Sequence, residues 1–160
     1  MNTTDTLTIT AVPGTQNIET TREFNATREQ LLQAHTDPEL FAQWVGPHGY
    51  QMVITQFEAH HGGAYAFEHR NPEGDEFRFR GVFHGDPSVE GFSQTFEFMG
   101  APGEVFYETF TFEDLGNGRT LLRGVSVAPS VDVRDAMVSS MEQGVRDGYD
   151  KLDAALAALS

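Results

Sequence analysis

Cysteine is absent from the 160 residues. That excludes a disulfide scaffold, a thiolate metal site and a cysteine nucleophile together. Basic side chains are scarce, 10 against 24 acidic ones, for a formal net charge of −14 and a pI near 4.6. Nucleic acid and anionic membrane both need a basic face to displace counterions, so neither is an expected partner. No apolar run approaches the ~20 residues that span a bilayer. The opening Met1-Asn2-Thr3-Thr4-Asp5 has no basic n-region and no apolar h-region, so the expected location is cytoplasmic. What is present in quantity is phenylalanine, 13 residues of it, in a chain that is 39% apolar and 21% charged. Such a composition is globular, with a core large enough to bury roughly 70% of the unfolded surface.

The chain reads as one domain over residues 17–160, preceded by a Thr-rich segment, residues 1–16, broken by Pro13-Gly14. This first segment is either a loose tail or an extra edge strand. Ile18 to Asn25 reads as a strand. Asn25 or Thr27 then caps a short helix through His35, with Gln30 three residues after Thr27 as a capping box requires. Asp37-Pro38 opens a second short helix, Asp supplying the cap and Pro the preset φ of the first turn. It runs to about Trp44, and Gly46-Pro47 stops it.

From Tyr50 the hydrophobic period changes to two. Strands are expected at Gln51–Glu58, Ala64–Arg70, Glu76–Phe83, Phe92–Met99, Val105–Phe112 and Arg119–Ala128. Short turns rich in Gly, Pro, Asn and Asp join them, among them Gly85-Asp86-Pro87 and Gly116-Asn117-Gly118, as in an antiparallel meander. Ser130 caps a last helix to about Leu159, roughly 43 Å long. Met137, Met141, Val145, Leu152 and Leu156 form one stripe along it. The order is β-α-α-β6-α, an α+β arrangement. A single apolar stripe needs a surface to cover, so a curved antiparallel sheet of about seven strands is expected to wrap on this helix and leave a concavity.

This order, with certain words in it, resembles the helix-grip domains of the START and birch-pollen-allergen (SRPBCC) superfamily. Within it, the chain is similar to the family named after the activator of heat-shock protein 90 ATPase. The matching words are Thr36-Asp37-Pro38-Glu39-Leu40-Phe41-Ala42-Gln43-Trp44 with Gly46-Pro47, and Gly62-Gly63 followed by Tyr65 and Phe67. Gly81-Val82-Phe83, Glu108-Thr109-Phe110-Thr111-Phe112-Glu113 and Met141-Glu142-Gln143-Gly144 leading to Leu152 complete the set. Together they span Ile18 to Leu159. The chain departs from the pattern at Val45, which replaces a second aromatic, and at Glu58-Ala59-His60, which replaces an Asp-x-Arg word. Val45 and His60 are therefore expected to alter what the cavity accepts. The resemblance implies the helix-grip fold and, by its name, a chaperone-activating role. The activator carries an additional chaperone-binding portion for which this chain has no room.

Strand parity indicates which side chains enter the concavity. Tyr65, Phe67 and His69 share one face, as do Phe77, Phe79, Gly81 and Phe83, which sends Arg78 and Arg80 outward. Phe106, Glu108, Phe110 and Phe112 share another, and pairing Phe110 with Leu122 would set Gly124 opposite Glu108. An unpaired carboxylate among aromatics has a raised pKa and can bind a ligand's donor or move a proton. The alternative for Glu108 is a solvated or arginine-paired carboxylate near the sheet edge. Gly144 and Gly148, one turn apart in the last helix, each cost roughly 1 kcal/mol relative to Ala. Either close packing on the sheet or headroom for a ligand accounts for them, beside the deformable Met137 and Met141. Trp44 is expected to plug one end of the core, and a place at the cavity mouth fits its amphipathic ring equally.

No metal or cofactor is expected. His60-His61 are adjacent, of opposite parity and without a third ligand word, so they read as a solvated loop, and His48 and His84 likewise. The glycine-rich turns lack the strand-to-helix context of a phosphate loop, and no nucleophile elbow is visible. The expected function is non-covalent binding of a small hydrophobic or aromatic molecule by a monomer or homodimer. The lining would be Trp44, Tyr65, Phe67, Phe79, Phe98, Phe110, Met137, Met141 and Gly144, with Glu108 and His69 as its polar groups. Two alternatives stand beside it. One is a cyclase or dehydratase acting on a polyketide-like or aromatic substrate, with Glu108 and His69 as acid and base. The other is an interaction module for a chaperone ATPase.

Overall fold

The computed structural model describes residues 6–159, so the opening Met1–Asp5 lies outside the described residues. Eight strands and three helices follow one another as β1 (Thr8–Ala11), β2 (Asn17–Phe24), α1 (Arg28–Thr36), α2 (Pro38–Trp44), β3 (Gln51–Phe57), β4 (Ala64–Arg70), β5 (Glu76–Ser88), β6 (Gly91–Phe98), β7 (Val105–Gly116), β8 (Arg119–Val127) and α3 (Val131–Ala158). The strands form one sheet in the order β1-β2-β8-β7-β6-β5-β4-β3, antiparallel at every pairing. This is the helix-grip arrangement, with one strand more than the seven expected. The extra strand is β1, drawn from the Thr-rich leading segment and paired to β2.

The helix starts form where the capping chemistry requires. Thr27 accepts from the Gln30 N–H at 3.2 Å, and the Gln30 side chain accepts from the Thr27 N–H at 2.9 Å. Asp37 accepts from the Glu39 N–H at 2.9 Å with Pro38 in the first turn of α2. Ser130 accepts from the Val133 N–H at 3.1 Å. Each bond satisfies a donor that the first turn of a helix leaves without a partner.

Two hairpins differ from expectation. The Gly85-Asp86-Pro87 segment lies inside β5, which continues to Ser88 across an irregular register between His84 and Ser88. Proline is tolerated there because a bulge needs no ladder donor at that position. The turn after β7 is the two-residue Asn117-Gly118, both at positive φ, and β7 runs four residues further toward it than expected, to Gly116. The longer hairpin shifts the pairing by two residues. Phe112 opposes Leu122, Phe110 opposes Gly124, and Glu108 opposes Ser126. A shift of two preserves the face, so the same side chains point inward.

The core lies between the concave face and the helices. Phe24, Leu31, Trp44, Tyr65, Phe67, Phe83, Leu122 and Leu152 are all buried in one cluster. A second, smaller cluster of Ile18, Phe106 and Ala128 lies under the first turns of α3, against Met137 and Met141. On the convex face, Glu68 pairs with Arg70 at 2.8 Å and Arg78 at 3.0 Å, and Glu97 pairs with Arg80 at 3.1 Å. Arg78 and Arg80 thus point outward, as the alternation requires.

Candidate functional site

Between the sheet and α3 lies a cavity of about 650 Å³. α2 contributes Trp44 to its wall, β4 contributes Tyr65, Phe67 and His69, and β5 and β6 contribute Phe79 and Phe98. Glu108 and Phe110 come from β7, and Met137, Met141 and Gly144 form the roof on α3. These are the residues the alternation singles out, and they share this one wall. The aromatic surface is continuous: Phe79 stacks on Phe67 with centroids 5.1 Å apart and on Phe96 at 5.4 Å, and Phe92 stacks on Phe110 at 5.0 Å. Val45 is on the wall too, whereas His60 is exposed on the β3–β4 loop. Of the two departures from the family words, only the one at position 45 reaches the cavity.

Glu108 is paired, and its partners are Gln94 and Ser126 rather than an arginine. Gln94 Nε2 donates to one carboxylate oxygen at 3.0 Å, and the Ser126 hydroxyl donates to the other at 2.8 Å. Burial raises its pKa, and these two bonds oppose the rise. Gly124, expected to make space beside the carboxylate, instead makes space for Phe110. A Cβ there would meet the Phe110 ring at 2.9 Å. Tyr65 donates its hydroxyl to the Thr95 carbonyl at 2.5 Å, across Gly81, where a Cβ would meet the Tyr65 ring and hydroxyl at 2.5 Å. Burial first, and the nearby Glu108 charge second, push the Tyr65 hydroxyl well above its usual range.

His69 is at the other end. Its pKa falls to about 4 because burial disfavours the cation; a hydrogen bond to the Val45 backbone opposes this, and the Lys151 charge adds to it. Nε2 of the ring is buried with no hydrogen-bond partner. A buried polar atom left in this way costs about 1–3 kcal/mol. Gly46 makes room for the ring: its φ is +99°, and a Cβ would meet the imidazole at 2.6 Å. Any other residue would be strained in that backbone conformation and would also clash.

The register separates the two polar groups. Glu108 pairs with Gln94, and Gln94 with Phe83. The Phe83 N–H donates to the Gly63 carbonyl at 2.8 Å, and Gly63 lies six residues before His69 on the same run. Glu108 and His69 are therefore three strands apart across the sheet and roughly 20 Å apart along it. They do not form an acid–base pair.

The wall also holds residues that the sequence did not single out, His35, Tyr149 and Gln94 among them. His35, 5% exposed, bonds through Nδ1 to the Leu31 carbonyl at 2.7 Å. It sits among Trp44, Phe92 and Phe112 with centroids 4.9 to 5.6 Å away. Burial lowers its pKa to about 4, against the Leu31 bond. The i, i+4 relation of Leu31 to His35 was the available signal. Tyr149, in register with Val145 and Leu152, belongs to the α3 stripe and packs edge-on against Phe24 at 5.3 Å. Gln94 faces Glu108 across one ladder step, and Gly148 packs beside the wall on α3.

Close packing accounts for Gly148, but against α2 and its exit rather than the sheet. A Cβ there would lie 3.0 Å from the Trp44 carbonyl oxygen and 3.5 Å from the Gly46 nitrogen. Gly144 has more room, with Pro47 Cγ at 3.6 Å. The Trp44 indole N–H donates to the Ala34 carbonyl at 2.9 Å, which fixes the ring that plugs the core. His61 Nδ1 accepts from the Gly85 N–H at 2.8 Å, and His84 lies against Tyr107 outside the cavity. Among the described residues no group of three or more His, Asp or Glu is gathered to hold a metal ion. No described helix is long and apolar enough to cross a membrane.

Known proteins place this geometry. The model of the family described as Activator of Hsp90 ATPase homolog 1-like protein matches residues 25–157. A crystal structure of a Rhodobacter sphaeroides protein is similar with a TM-score of 0.85 at 27% identity, covering 95% of this chain and 99% of that one. A solution structure of an Arthrobacter aurescens protein has the same fold, with a TM-score of 0.85 at 23% identity over 94% of this chain and 91% of that one. DynU16, a protein in the dynemicin biosynthetic locus, shares the fold with a TM-score of 0.67 at 17% identity. The alignment covers 91% of this chain and 48% of DynU16. No curated protein matches the sequence. On the family match over most of its length, the chain belongs to the Activator of Hsp90 ATPase homolog 1-like family.

Proposed function

We propose that this protein binds a small hydrophobic or aromatic molecule, non-covalently, in the cavity between the sheet and α3. The observation that carries the reading is the cavity itself, about 650 Å³, walled by stacked aromatic rings with few polar groups among them. Such a volume and lining are what small-molecule sites use: apolar surface for affinity and a few fixed polar atoms for orientation. The wall is held by residues that do not depend on an occupant, such as Trp44 and Tyr65 with their backbone partners. The occurrence of the fold in a protein of a biosynthetic locus supports the same reading. The separation of Glu108 from His69 weighs against a cyclase or dehydratase that uses both on one substrate atom.

A thermal-shift screen with a panel of apolar and aromatic compounds tests it. A ligand at a hundred times its dissociation constant adds roughly 2.7 kcal/mol, which raises Tm by about 5–10 °C. Met141→Trp, which fills the cavity from the roof, should abolish the shift while the protein stays folded. If no member of the panel moves Tm in the wild type, the reading fails.

A further inference from the structure

The cavity wall is almost free of charge, and that makes its one acid the discriminating group. No lysine or arginine is among the described residues that line it. Its two histidines, His35 and His69, are neutral at physiological pH, with pKa values near 4. Burial keeps the Tyr65 and Tyr149 hydroxyls protonated. Glu108 is left as the group that can bring a full charge to the wall. Gln94 and Ser126 stand directly opposite it on the two strands that flank β7, and each gives a hydrogen bond to one carboxylate oxygen. These two neutral donors are the groups that favour its ionised form, and no cation is among them. They orient the carboxylate without cancelling its charge.

The carboxylate also has room for a further partner. An ionised carboxylate offers about four lone-pair positions, and the two bonds use half of them. Both donors approach from neighbouring strands, along the sheet, whereas the cavity lies above the sheet, toward α3. Glu108 forms part of the cavity wall and is only half-buried. On the same inward face, two residues along β7, is Phe110, whose ring stacks on Phe92 at 5.0 Å. Aromatic faces of this kind attract cations. The net charge of −14 acts in the same sense over longer range, enriching cations near the protein and depleting anions.

We propose that the cavity takes aromatic molecules carrying a basic nitrogen, such as a protonated arylalkyl amine, with the ammonium bound by Glu108 and the ring by the stacked phenylalanines. The proposal rests on the cavity-binding reading and adds the charge class of the ligand: a cation preferred over a neutral alcohol, and an aromatic carboxylate disfavoured. An ammonium bound to a carboxylate is roughly twice as strong a hydrogen bond as a neutral pair. An anion in the same place meets a like charge with no cation on the wall to offset it.

The test compares three probes on one ring by calorimetric titration at pH 7: 1-naphthylmethylamine, 1-naphthylmethanol and 1-naphthoate. The amine should bind roughly ten- to a hundredfold more tightly than the alcohol, the worth of a hydrogen bond to a charged group, and the naphthoate more weakly than both. Glu108→Gln keeps the shape and removes the charge, so the amine should fall to about the affinity of the alcohol and the naphthoate should gain. A second measurement needs no variant. The Gln94 side-chain amide donates to the same carboxylate, and in 15N spectra of the wild type the amine should shift it further than the alcohol does. Equal affinity for amine and alcohol, naphthoate bound as tightly as the amine, or a Gln94 amide that responds alike to both overturns the charge assignment and leaves cavity binding standing. Failure of the amine to bind overturns it as well, and the cavity reading falls with it only if the neutral compounds fail too.

Discussion

The two halves of α3 share one apolar stripe and have opposite surroundings. From Gly148 onward, Tyr149, Leu152, Ala155 and Leu156 are buried, while no residue of the helix before Gly148 is. The second half is also anchored by charge. Arg22, 1% exposed in its side chain, makes two hydrogen bonds to the Asp153 carboxylate, at 2.8 Å and 2.6 Å, and lies 4.5 Å from the Phe24 ring centroid. The first half rests on half-buried methionines above the cavity. Arg134 ties its start to the Val12 and Thr15 carbonyls at 2.9 Å and 2.6 Å. One stretch of helix thus supplies stability and the other supplies a roof.

The largest effect expected is on the cavity side, through pH. His35 and His69 have folded pKa values near 4 against 6.5 unfolded. Between those values the unfolded chain binds more protons, so stability rises with pH and falls on acidification. Each histidine contributes a slope of about 1.4 kcal/mol per pH unit, and for enclosed His35 the whole window is worth roughly 3 kcal/mol. Glu108, whose pKa is raised by burial, works in the opposite sense and reduces the slope above its unfolded pKa of 4.5. Urea melts from pH 7 to 4.5 should show the fall, and His69→Phe should remove about half of the histidine slope. A stability that is flat over this range would contradict the burial of neutral histidines.

Next comes the anchor. Asp153→Ala strips a buried guanidinium of its bidentate partner and should cost about 3 kcal/mol with the pH slope unchanged. Met141→Ala, on the roof, should cost under about 1 kcal/mol because its neighbour is already a cavity. Equal losses in the two variants would erase the distinction between the halves. The smallest effects test the boundary. Gly148→Ala forces a methyl to within 3.0 Å of the Trp44 carbonyl and should lower stability by about 1 kcal/mol net. Gly144→Ala meets only ordinary contact at 3.6 Å and should gain up to about 1 kcal/mol from helix propensity. Opposite signs in thermal melts are the expected outcome.

This division of α3 was only partly legible in the sequence. The stripe from Met137 to Leu156 is visible as spacing, but spacing carries no depth, and nothing in it says where the sheet ends and a cavity begins. The inward faces of β4, β5 and β7 were legible because alternation needs only parity. Their partners were not, because register depends on hairpin length. Continuation of β7 to Gly116 moved Gly124 from Glu108 to Phe110 without changing either face. Glu108 was recognisable as inward, yet its satisfaction by Gln94 and Ser126 required knowing two strand pairings. His69 was recognisable by parity as well, but an atom without a partner is defined by everything around it. Gly46 and Val45, which enclose it, come from a loop some twenty positions earlier in the chain. Arg22 hid in plain view, since parity places it inward between Thr20 and Phe24 and only its partner on α3 makes that tenable.

The register irregularity in β3, between Ile54 and Gln56, bears on the behaviour of the molecule at high concentration. An open sheet ends in two strands whose outer amides and carbonyls can template addition of another chain. Here one end is β1, only four residues long, and the other is β3, distorted near its middle by that irregularity. A short strand offers few ladder bonds, and a bulged one offers them out of phase and twisted away. The sheet can therefore stay open and curved around its cavity without presenting a flat border on which aggregation could begin.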